Sequence, residues 1–140
     1  MELEASIYDE LCERCESANE LMDDEKYGEA IEQFESALSL LPEPATDWDA
    51  ATMIWASIGD AQFQLRQPQA AIDAFYNAMN SPGGIVNPFV LLRAGQCALD
   101  LGDEQKAVDL LLRAYMLEGE DIFEDEPGEY LQFLASKVEL

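Results

Sequence analysis

Cys12 and Cys15 form a C-x-x-C pair, the one spacing in this sequence that suggests redox or metal chemistry. Thiolates so placed can exchange a disulfide or share a metal ion. That use calls for a strand before the turn, or a second pair to complete a tetrahedral site. Here the pair lies within a helical pattern and the third cysteine, Cys97, is remote. An odd count of cysteines fits reduced thiols packed between helices better than a disulfide framework. With no histidine in the chain, a Ser-His or Cys-His pair and an imidazole-bound metal are excluded. Carboxylates crowd the segment EDIFEDEPGE at 120–129, but it lacks the alternating ligands and directing glycine of a calcium loop. No nucleophile stands beside a base. The expectation is a non-enzymatic protein with no catalytic residue, no metal and no cofactor.

The charge is the loudest feature. Thirty acidic side chains face 7 basic ones, for a net charge of -23 over 140 residues. Residues 1–43 hold 14 acids and 2 bases, 44–117 hold 8 and 4, and 118–140 hold 8 and 1, so the ends carry the excess. Phosphate backbones and anionic lipid surfaces reward Lys and Arg, so neither nucleic acid nor membrane is expected as a partner. The acidic start, Met1-Glu2-Leu3-Glu4, and the lack of any long apolar run predict a soluble, cytoplasmic chain. At 49% hydrophobic residues the chain can bury a core of its own, and its length suits one domain spanning 1–140.

The elements follow from a repeat. Ala18–Ala37, Gly59–Ala78 and Gly95–Ala114 align without gaps. In each, a small residue (Ala18, Gly59, Gly95) precedes an alanine (Ala30, Ala71, Ala107), a large apolar residue (Phe34, Phe75, Leu111) and a further alanine (Ala37, Ala78, Ala114). A small residue on one helix lets a second approach closely, and alanines seven apart with a large residue between them form that second helix's inner face. The unit is a helical hairpin. Asn87-Pro88 and Pro68 mark helix starts, Leu101-Gly102-Asp103 a tight turn and new cap, and Leu41-Pro42-Glu43-Pro44 a firm stop. Helices are therefore predicted over 4–22, 25–40, 48–66, 68–80, 88–101 and 104–118. A last helix near 127–138 would close the open apolar end of the stack.

This pattern resembles the tetratricopeptide repeat, whose signature is W-x2-L-G-x2-Y, then A-x3-F-x2-A, then P. The second unit matches with Trp55, Ile58, Gly59, Ala71, Phe75 and Ala78. The first keeps Ala30, Phe34, Ala37 and Pro42 but has Arg14 and Ser17 where Trp and Leu are usual. The third has Leu91, Ala94, Gly95, Ala107, Leu111 and Ala114, with Gly119 in place of the terminal proline. The resemblance, over roughly 11–119, implies an all-α fold: a right-handed superhelix of three hairpins (about 11–44, 52–85 and 88–121) plus a C-terminal capping helix.

It also implies a binding scaffold whose partner lies on the concave surface formed by the first helix of each hairpin. Carried onto this sequence, that surface comprises Cys12, Cys15, Asn19 and Met22, then Met53, Ala56, Asp60 and Phe63, then Phe89, Leu92, Gln96 and Leu99. The family's clamp for a C-terminal carboxylate needs basic residues where this chain has Cys12, Cys15, Glu16, Ala56 and Leu92, so that use is not expected.

Two surfaces compete as the site. Asp9, Glu13, Glu16 and Glu20 fall on one face of the first helix, Glu25, Glu29 and Glu32 on the second, and Glu124, Asp125 and Glu126 in the C-terminal cluster. These carboxylates serve solubility or attract a basic partner, and the excess over what solubility requires favours the partner. The apolar groove could instead seat a partner's segment, be covered by the chain's own termini, or face a second copy. The leading expectation is a protein that binds and neutralises or chaperones a basic protein, of immunity-protein type. The alternatives are a chaperone of the type III secretion kind, holding an apolar segment in the groove, and a general assembly scaffold.

Overall fold

A computed structural model describes residues 2–140 of the chain. Six helices form three antiparallel hairpins: α1 (Ala5–Asp23) with α2 (Tyr27–Leu38), α3 (Asp49–Gln64) with α4 (Pro68–Met79), and α5 (Pro88–Asp100) with α6 (Glu104–Glu118). A seventh, α7 (Gly128–Lys137), follows a 3-10 turn over Gly119–Phe123. Each helix packs on the next, and contacts two helices apart are few. That is the signature of a linear stack.

The predicted small residues sit where helices approach most closely. Ala18, Gly59 and Gly95 are buried, opposite the buried rings or branched chain of Phe34, Phe75 and Leu111. A methyl group added at Gly59 would lie 2.8 Å from the Phe75 ring, and one at Gly95 would lie 2.8 Å from Leu111. Two apolar clusters result, one centred on Phe34 and one on Phe75, Leu91 and Leu111, and Trp55 packs against both. Tyr130 and Leu134 of α7 are buried in the second cluster. They close it at the C-terminal end.

The turn inside every hairpin is the same. The amides of Glu25, Arg66 and Gly102 donate to the carbonyls of Met22, Phe63 and Leu99. Those of Lys26, Gln67 and Asp103 reach back to Leu21, Gln62 and Ala98. This is the Schellman arrangement, which needs a left-handed residue at its pivot. Gly102 adopts φ 83° without strain, whereas Glu25 (φ 59°) and Arg66 (φ 60°) hold the same conformation with a side chain. The pivots explain two boundary differences. The second helix begins at Tyr27 rather than 25, and the third ends at Gln64 rather than 66. Glu25 therefore stands in a turn and not on the helical stripe of Glu29 and Glu32. Elsewhere the expected caps are present: Asn87 accepts from the amides of Phe89 (3.0 Å) and Val90 (3.2 Å), and Asp103 accepts from Lys106 (3.1 Å).

Two opposite effects follow in chemical denaturation. Gly59→Ala should lose about 1–3 kcal/mol, because the Phe75 ring, fully buried in its cluster, cannot yield without disturbing its neighbours. Arg66→Gly should gain up to about 1 kcal/mol by relieving the left-handed pivot. A neutral Gly59→Ala would show that hairpin packing is looser than the structure requires.

Candidate functional site

The inner wall of the stack is built by α1, α3 and α5, and the cation of α5 divides it. Arg93 of α5 lies under the Phe63 and Phe89 rings, its guanidinium carbon 4.8 Å and 5.1 Å from their centroids. Its Nε donates to Asp60 Oδ1 at 3.2 Å, and its Nη1 to Gln96 Oε1 at 2.8 Å and to Glu126 Oε1. Gln96 Nε2 also donates to Glu126 Oε1 at 2.7 Å. With Arg93 13%, Glu126 14% and Asp60 24% exposed, the cluster is largely withdrawn from water. It ties the second hairpin, the third hairpin and the C-terminal segment together.

This knot changes the expected site. Leu92 and Gln96, expected on the open wall, are 3% and 0% exposed, because the segment leading into α7 folds back over α5. Phe123 from that segment is buried in the same cluster as Leu92. Glu126, expected on the acidic binding face, is turned inward onto Arg93 and Gln96 and is not available to a partner. Leu99 is half-buried against the C-terminal core. Phe63 lines a separate cleft of about 530 Å³ with Arg66, Asp100, Pro127 and Tyr130.

The remaining groove residues do converge. Asn19, Met22, Met53, Asp60 and Phe89 line one cleft of about 390 Å³, joined by Asp23, Ala56, Ser57 and Asn87. Met53 is 64% and Phe89 37% exposed, large apolar groups held in contact with water. Cys12 is exposed and Cys15 half-buried on α1, outside this cleft. Burial, and then the neighbouring Cys12, push the Cys15 thiol up. Burial pushes Cys97 up to about 12, so that thiol packs as a neutral group. At the foot of α7, desolvation raises both Asp100 and Tyr130, whose hydroxyl donates to Asp100 Oδ1 at 3.3 Å. No group of three His, Cys, Asp or Glu among the described residues is arranged to hold a metal ion. Nor is any helix there long and apolar enough to cross a membrane.

The other acidic residues are all on the surface. Asp9, Glu13, Glu16, Glu20, Glu25, Glu29, Glu32, Glu124 and Asp125 are exposed, and among the described residues none of them is in an ion pair.

The Tetratricopeptide repeat family model matches residues 15–85, half of the chain. The chain belongs to the tetratricopeptide repeat family. The fold read from the residues is thereby shown. No curated protein matches the chain. Solved structures extend the likeness over nearly its whole length. The type III secretion chaperone SycD of Yersinia enterocolitica, in complex with a peptide of the translocator YopD, aligns at 19% identity. That match covers 91% of this chain and 92% of that one, with a TM-score of 0.72. A second SycD structure aligns at 19% identity over 96% and 86%, TM-score 0.73, and MamA at 18% over 89% and 74%, TM-score 0.67. At such identities the likeness establishes the shared fold.

Tetratricopeptide repeats are protein-interaction modules, and Arg93 is the residue of this one's wall that periodicity overlooked. Its signal was present in outline: a cation four residues after Phe89 in an acidic chain. Removing it leaves Asp60 and Glu126 desolvated without a counter-charge. Arg93→Ala should therefore destabilise the fold by about 3 kcal/mol. Amide exchange should rise across 119–127. The exposed pair Arg113–Asp109 should contribute less than about 1 kcal/mol when broken. Equal losses from Arg93→Ala and Arg113→Ala would show that the knot does not hold the C-terminal segment.

Proposed function

We propose that the chain holds an extended segment of a partner protein in the concave cleft between Met22, Met53 and Phe89, in the manner of a chaperone. The carrying observation is that the first helix of every hairpin contributes one large apolar group to the same open cleft. Flexible methionines beside an aromatic ring adapt to varied apolar anchors. Asp23 and Asp60 stand on the rim, and Arg93, already ringed by Asp60 and Glu126, offers no free cation. A lysine or arginine beside the anchor fits that rim, and a terminal carboxylate does not. SycD, of similar fold, has been solved with a translocator peptide, which supports this reading. The neutralising reading rests on surface charge and on an analogy to small acidic repeat proteins of toxin systems, and the comparisons do not support it.

Met53→Glu is the informative substitution, because Met53 is exposed and its change spares the core. Leu92→Glu would introduce a charge into a buried position and report only on folding. In capture experiments at low and high salt, Met53→Glu should weaken retention of the partner about tenfold or more. Retention by the unaltered chain should fall only modestly with salt. A photo-crosslinking residue at 53 should label the partner, and one at 29 on α2 should not. Labelling at 29 with steep salt loss would instead favour docking on the acidic face.

A further inference from the structure

A second cleft, of about 580 Å³, opens at the N-terminal end of the stack, where the start of α1 meets the segment entering α3. It shares no lining residue with the concave cleft. Its apolar side is Leu3, Tyr8, Leu11 and Trp48, and its acidic side is Glu2, Asp47 and Asp49. Among the described residues, no Lys or Arg lines it. The nearby cation of α1, Arg14, is engaged by Glu10 and by the carbonyl and hydroxyl oxygens of Ser36. Trp48 is held in place by its indole N–H, which donates to the Pro42 carbonyl at 2.7 Å. That bond uses the ring's one polar group, so what Trp48 offers a ligand is its π face. Tyr8, 56% exposed, adds a second aromatic ring to the same cleft.

We propose that this cleft is a docking site for a basic segment of a partner protein. A lysine or arginine enters against the aromatic rings and the carboxylates, and an adjacent aliphatic residue packs on Leu3 and Leu11. Aromatic faces attract a cation through their quadrupole, and carboxylates beside them add direct charge attraction. Neither group alone selects a segment. Together they distinguish a lysine flanked by leucine from either residue in isolation. A second copy of the chain is the wrong occupant on charge grounds, because it would bring together two N-terminal regions that each hold 14 acids and 2 bases over residues 1–43.

The test uses the full chain and an acetylated, amidated octapeptide of alternating lysine and leucine, followed by the indole N–H signal of Trp48 in nitrogen-15 NMR. Trp55→Phe separates the two tryptophan signals. The peptide should shift the Trp48 signal. Tyr8→Leu, which keeps bulk but removes the ring, should weaken binding roughly tenfold. Glu2→Gln with Asp47→Asn, both at exposed positions, should weaken it to a similar degree and flatten its salt dependence. A matched peptide with serine for leucine should bind several-fold more weakly, and one with glutamate for lysine should not bind.

Unfolding midpoints equal to that of the unaltered chain keep a folding defect from standing in for lost binding. The site is overturned by an unmoved Trp48 signal, or by equal shifts from the leucine and serine peptides, which would report charge attraction alone. It is also overturned by binding that survives Tyr8→Leu but not Met53→Glu, which would place the peptide in the concave cleft. Self-association of the chain that Tyr8→Leu disrupts would make a second copy the occupant, and would overturn it likewise.

Discussion

Everything in this fold depends on how closely the two helices of a hairpin can approach. Where Gly59 faces Phe75 and Gly95 faces Leu111 there is no room for a methyl group, and in the first hairpin Ala18 and Phe34 are buried in one cluster. One small residue and one large residue per hairpin set the spacing. Three hairpins built to the same spacing then stack in one sense, so their first helices share an inner wall. The left-handed pivots reinforce this, closing each hairpin with the same pair of backbone hydrogen bonds whether the pivot residue is Gly102, Arg66 or Glu25. That two charged residues tolerate the strained conformation shows tertiary packing overruling local preference.

Electrostatics works against this architecture. Like charges spaced four apart on α1 each cost a few tenths of a kcal/mol, and half-exposed pairs such as Arg113–Asp109 return no more than that. The deficit is covered by apolar burial, since fully burying a Phe or Leu side chain contributes about 1.5–3 kcal/mol. Phe34, Phe75, Leu91, Leu111 and Leu134 are all 2% exposed or less. Acidic residues can therefore accumulate on the outside without unfolding the chain. The Arg93 knot is different, because its charges are withdrawn from water and hold three parts of the chain in register.

The hairpins were legible in the sequence because their signal is periodic and local. Helix limits came within about two residues, and the departures at 25 and 66 trace to a pivot conformation that glycine advertises and Glu or Arg does not. The interior of the wall was less legible. Leu92, Gln96 and Glu126 were misplaced for one reason: the segment that carries Glu126, thirty residues downstream of Gln96, folds back onto α5 and buries all three. Helical spacing reports which side of a helix a residue occupies, and it does not report what else comes to lie there. The acidic stripes, apart from Glu25 and Glu126, are where spacing put them, since nothing long-range covers them. The aromatic and acidic cleft near Trp48 carried no periodic signal at all, because it is assembled from the end of one hairpin and the linker entering the next.

The self-occupied wall limits what the proposed concave site can hold. The 119–127 segment and Arg93 already fill its C-terminal half, leaving the cleft among Met22, Met53 and Phe89. At about 390 Å³ that cleft accommodates a few anchoring side chains, not a long helix. A short apolar anchor alone gives little affinity once the ordering of an extended segment is counted against it. In the proposed reading, the lysine or arginine that Asp23 and Asp60 accept beside the anchor supplies a further short-range contact.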